Sequence, residues 1–120
     1  MFSKILLDHF QNPRNAGELP DADAVVEVRN PVCGDVLQLA AAVENNKIRV
    51  LRFLCRGCTT AIACASFLTE QLQGREVLLL REIKAQNLAL ALGGLPEASF
   101  HAAQLAEDAA AALLAALSKS

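Results

Sequence analysis

The chain contains no tryptophan, no tyrosine and a single methionine among its 120 residues, and its formal charge is only −2. With neither stacking side chains nor a basic footprint, it lacks the means by which proteins hold nucleic acid. It also lacks a charge-free apolar run of membrane-spanning length. The most apolar stretch, 109–117, is alanine-rich and short, and Glu107 and Asp108 precede it. The opening residues include Asp8 and His9 and show neither the apolar region nor the cleavage site of a signal peptide. The expectation is a cytoplasmic protein with no membrane or nucleic-acid partner. No repeat, low-complexity linker or charge run divides the chain, so a single domain over 1–120 is expected. An apolar content of 53% against 20% charged is that of a folded chain.

Four cysteines are present, at 33, 55, 58 and 64. In a reducing compartment thiols bind metals, react or pack in cores more often than they pair. Cys55 and Cys58 form a C-x-x-C pair, but a zinc knuckle needs a second pair at similar spacing, and none exists. A thioredoxin-type reading needs a βαβ pattern, which is also missing.

Hydrophobic periodicity divides the chain into strands first and helices afterwards. Ser3–Phe10 reads as a short helix capped by Ser3, with Phe2, Ile5, Leu6 and Phe10 as its apolar side, broken at Asn12-Pro13. Ala24–Arg29, Asp35–Glu44 and Lys47–Cys55 read as strands, with Leu37, Leu39, Ala41 and Val43 on one face by period-2 alternation and the last two strands joined by an Asn45-Asn46 turn. From Cys58 the period becomes helical: Ala61, Ala65, Leu68 and Leu72 share a face that ends at Gly74. Cys64 belongs to that apolar side and reads as core. Short helices are expected over Val77–Lys84 and Gln86–Leu92, and a last helix from about Ala98 to Leu117. Leu105, Ala109, Ala112 or Leu113, and Ala116 form its stripe. The fold class is α+β, a small three-stranded antiparallel sheet with helices packed on one face.

Three stretches place ligand-type side chains at element ends. In Pro31-Val32-Cys33-Gly34-Asp35, Gly34 lets the loop bend so that Cys33 and Asp35 can point the same way. Taken alone, the segment reads more readily as an ordinary turn with a buried cysteine and a solvated aspartate. In Arg56-Gly57-Cys58-Thr59-Thr60 a cysteine opens a helix, where unpaired N–H groups and Arg56 should lower its pKa. In Ser99-Phe100-His101 a histidine starts the last helix, and its spacing from Leu105 suits a ligand and a packed histidine alike.

Together these stretches resemble the IscU/NifU-type iron–sulfur cluster scaffold family. Asp8-His9-Phe10-Gln11-Asn12-Pro13-Arg14-Asn15 resembles its opening D-H-(Y/F)-x-N-P-R-N, and Cys33-Gly34-Asp35 its C-G-D ligand loop. Gly57-Cys58-Thr59-Thr60-Ala61-Ile62-Ala63 resembles its G-C-x-x-(A/S)-x-A segment. His101 with Leu105-Ala106 resembles the last-helix H-C-x-x-L-A. Cys33 and Cys58 lie 25 residues apart, and Cys58 and His101 lie 43 apart, in the family's order.

The resemblance implies a scaffold, not an enzyme, that assembles a 2Fe-2S cluster transiently. It implies sulfur from a cysteine desulfurase and delivery to acceptor apo-proteins. It implies Cys33 and Cys58 as thiolate ligands, His101 as an imidazole ligand and Asp35 as a hard, weak one. Thiolates hold such clusters firmly, while a carboxylate or imidazole keeps a site labile. The chain carries no recognisable nucleophile–base pair of its own.

Two departures stand out. The family's third cysteine, after the histidine, is Ala102 here, which leaves four ligands for a labile cluster or for Zn2+ in the purified form. Cys55 would compensate if its strand end turned inward. Glu97 and Ser99, in the stretch Leu95–Ser99, argue against docking to the dedicated Hsp70 chaperone. A zinc-binding partner of a desulfurase that relays or regulates sulfur without building a cluster is the alternative reading.

Overall fold

The computed structural model describes residues 2–118. Helix α1 (Lys4–Gln11) leads into strands β1 (Ala24–Arg29), β2 (Val36–Glu44) and β3 (Lys47–Arg56), followed by α2 (Thr59–Leu72), α3 (Ala85–Ala91) and α4 (Phe100–Ser118). The sheet has the order β1-β2-β3 and is antiparallel throughout, as the sequence predicts. Asn45 and Asn46 both adopt positive φ, at 54° and 64°, which is the left-handed pairing a two-residue hairpin demands. The register slips between Ala42 and Val43, so the period-2 pattern runs cleanly only through Leu37, Leu39 and Ala41.

Those three residues, with Ile48, Leu51 and Phe53, make the sheet side of the core. Ala61, Cys64, Ala65, Leu68 and Leu72 of α2 and Leu105, Ala109 and Leu113 of α4 close it from the other side. Cys64 is completely buried, which bears out its reading as a core residue. Position 113, not 112, carries the α4 stripe, because only Leu113 is fully buried.

Several boundaries differ from expectation. Val77–Lys84 does not form an α-helix but a tighter 3-10 turn over Val77–Glu82. Short connecting segments commonly take this form. A second 3-10 turn, Glu97–Ser99, precedes α4, set by Pro96 just before it. Helix α1 is capped as expected, Ser3 Oγ accepting from the Leu6 N–H at 3.0 Å. Its apolar side is misread in one respect: Ile5 is 49% exposed, whereas Leu6 and His9 are buried.

His9 explains the burial. Its Nδ1 lies 2.8 Å from Ser66 Oγ on α2, and its ring meets Phe67 edge-on. Ser66 Oγ accepts from the Arg14 N–H at 2.9 Å, and with the imidazole proton on Nε2 its hydroxyl donates to His9 Nδ1. The Nε2–H then points to Glu70, 3.5 Å away. Asn15 joins Arg52 Nη1 and Gln73 Nε2, each at 3.3 Å. The Asp8–Asn15 segment is thus a polar clamp fastening the N-terminus to α2 and β3.

Candidate metal centre

The ligand loop links β1 to β2. Asn30 accepts at Oδ1 from the N–H groups of Val32 (2.8 Å) and Cys33 (3.3 Å), and its carbonyl accepts from the Gly34 N–H at 2.8 Å. Its own N–H donates to the Asp35 carbonyl at 2.9 Å. Gly34 sits at φ +78°, a conformation that side chains disfavour, and this reverses the chain between Cys33 and Asp35. Cys33 ends in the open, while Asp35 turns inward and is only 8% exposed.

Cys33, Asp35 and His101 converge: one ligand atom from each lies within 4.8 Å of the other two. Tetrahedral ligands about 2.0–2.3 Å from a metal lie roughly 3.3–3.8 Å apart, so these three need close by at most about 1.5 Å to share an ion. Asp35 Oδ2 is buried with no hydrogen-bond partner. A buried, unpaired carboxylate oxygen is costly unless something positive meets it, and a metal supplies that. The donor set of thiolate, carboxylate and imidazole suits both iron and zinc. The residues present therefore fit a metal.

Cys58 is the N-cap residue of α2, as expected, and lies beside Asp35, but it stands outside the three-residue cluster. Its pKa is raised, against the sequence expectation of a lowered one. Burial pushes the thiol up. The Ala61 and Thr60 N–H groups at the helix start pull it down, but the Asp35 carboxylate opposes them. Arg56 is not among the groups acting on Cys58. It pairs with Val36 on the sheet side opposite the core.

Cys55 pairs with Leu37 and so faces the core side, half-buried, its thiol pushed up to about 12 by burial and by the nearby Asp35 and Cys58 charges. It too stands outside the cluster. Ala102, directly after His101, is 1% exposed and packed in the core. Sequence reasoning missed the role of Gly57. A β-carbon there would lie 2.8 Å from Asp35 Cγ, so the carboxylate occupies the space a side chain would take. The glycine before Cys58 was visible in the sequence, but its crowding by a residue 22 positions earlier was not.

A cysteine, an aspartate and a histidine thus meet at the loop end of a three-stranded sheet in a small α+β fold. The family model of the NifU-like N terminal domain matches residues 1–119, and the chain belongs to that family. It is 44% identical over 109 residues to the iron-sulfur cluster assembly scaffold protein IscU 1 of Archaeoglobus fulgidus, covering 91% of this chain and 71% of that one. It is 39% identical over 118 residues to the iron-sulfur cluster assembly scaffold protein IscU of Haemophilus influenzae, covering 95% and 93%. A relative from Drosophila melanogaster, 38% identical over 119 residues (96% of this chain and 77% of that one), is named an iron-sulfur cluster assembly enzyme. The fold matches the crystal structure of a NifU-like N-terminal protein from Brucella abortus with a TM-score of 0.79 at 20% identity, over 98% of this chain and 94% of that one.

Proposed function

We propose that the chain is an iron–sulfur cluster assembly scaffold whose cargo, a 2Fe-2S cluster, is held by Cys33, Asp35, Cys58 and His101. The observation that carries this reading is the convergence of Cys33, Asp35 and His101, in which Asp35 is buried and its Oδ2 has no hydrogen-bond partner. Cys58, beside Asp35, is the second thiolate. Two thiolates give the cluster its grip, and the carboxylate and imidazole, with Cys33 open to solvent, let it leave. Family membership supports the same reading, and so do the names of the relatives. Sulfur is supplied by a cysteine desulfurase, and acceptor apo-proteins take the finished cluster. This role calls for no catalytic residue, and the protein works in the cytoplasm as one domain.

Anaerobic reconstitution with ferrous iron and sulfide tests the reading. Visible charge-transfer bands, with iron and sulfide bound in equal amounts, are expected.

A second reading rests on a specific observation: among the described residues three ligands converge, not four, and Ala102 is buried where the family carries a thiol. Three protein ligands and an open position suit a Zn2+ that exchanges a ligand with a partner. On that reading the protein serves a desulfurase without building a cluster, and purified material holds one tightly bound zinc and no colour.

A further inference from the structure

We infer that Asn30 is the positioning residue of the metal centre, the group that sets where the Cys33 thiolate stands. The inference rests on the metal reading above for what the loop is for, but its structural basis is independent of it. Residues 31–34 are all exposed, Val32 by 94%, so none of them is anchored in the core. Among the described residues, the hydrogen bonds that hold the loop all run to Asn30. Asn30 Oδ1 takes the N–H groups of Val32 and Cys33, and its backbone carbonyl takes that of Gly34. Its backbone N–H ties to the Asp35 carbonyl, just before β2 begins.

The local sequence reinforces this. Pro31 confines Asn30 to extended backbone, which leaves its short side-chain carbonyl facing the next two N–H groups. Pro31 has no N–H to compete for that oxygen. Gly34 then reverses the chain at φ +78°. One residue thereby spans the gap between the two ligands: its side chain fixes Cys33, and its backbone N–H fixes Asp35. Because residues 31–34 are exposed and none belongs to the core, removing the Asn30 side chain should disturb the centre and spare the fold.

The test compares the wild-type chain with Asn30→Ala and Asn30→Asp, the latter keeping an oxygen at the same place. Each metal-free protein is titrated with Co2+, whose thiolate charge-transfer and ligand-field bands report the number and geometry of its ligands. Asn30→Ala is expected to bind at least about tenfold more weakly, as partners that orient metal ligands do when removed, and with altered bands. Asn30→Asp is expected to recover most of the affinity. The urea midpoint of the metal-free chain should be the same in all three. Co2+ binding by Asn30→Ala equal to wild type, or a loss accounted for by a lowered midpoint, overturns the inference. If the wild type itself binds no Co2+, the metal reading fails, and amide exchange at Val32 and Cys33 decides the Asn30 claim. Faster exchange in Asn30→Ala upholds it, and unchanged exchange overturns it.

Discussion

The Asp35 carboxylate rests against the bare α-carbon of Gly57: a β-carbon there would approach Cγ to 2.8 Å and Oδ2 to 3.0 Å. Gly57→Ala must therefore displace the Asp35 carboxylate from the place where it meets Cys33 and His101, since the Ala61 methyl, 3.2 Å from the same point, crowds the new side chain as well. We expect metal affinity to fall about 10–100-fold, the range for lost ligand support, in Co2+ or Zn2+ titration. Affinity equal to wild type would show that Asp35 is not held by this contact.

Stability should depend on pH through His9. Burial holds its pKa below the ordinary value, and the Arg14 charge adds to this, while Glu70 and Asp8 oppose. The unfolded chain takes up a proton near pH 6.5, before the native one does. Between 6.5 and the lower native value the unfolded state binds more protons, so this contribution is full above 6.5 and is lost as pH falls below it. Urea midpoints should drop between pH 7.5 and 5.5. His9→Phe should flatten that dependence and cost about 1–3 kcal/mol, because the buried Ser66 hydroxyl loses its acceptor. An unchanged slope in the variant would place the titration elsewhere.

The clamp around His9 also shows what sequence can and cannot carry. The Asp8–Asn15 segment is the longest stretch of family resemblance, yet it holds the N-terminus in place and contributes no ligand to the cluster. Strand and helix order were readable because Leu37, Leu39 and Ala41 alternate, and Ala61, Leu68 and Leu72 recur on one face. The tight turn at Val77–Glu82 was not, since leucine-rich runs suit either helix. At the centre, Cys33, Asp35 and His101 were legible from residue type and order. The raised pKa of Cys58 was not, because the helix-end effect is local and readable, whereas its burial and the approach of Asp35 arise only in three dimensions.

Cys58 should accordingly be a slow thiol in the metal-free protein. Asp35→Asn removes the opposing charge, so alkylation of Cys58 at pH 8 should speed up while Cys64, shielded in the core with its thiol pushed up to about 12, stays unreactive. Mass spectrometry of the alkylated peptides reads both. No change at Cys58 would mean that burial alone sets its reactivity.

Cys55 stands outside the three-ligand cluster, on the core side beside Leu37. Cys55→Ser should leave metal uptake unchanged in the same titration. A marked loss would instead show that it has taken the place of the thiol missing at Ala102.

The most direct measurement is anaerobic reconstitution of the wild type beside Cys33→Ser and Cys64→Ala, followed by absorbance and by iron, sulfide and zinc analysis. As a scaffold, the wild type and Cys64→Ala should show charge-transfer bands with equal iron and sulfide, and Cys33→Ser should lose them. One firmly held zinc with no coloured species, or a Cys33→Ser protein as coloured as the wild type, would contradict it.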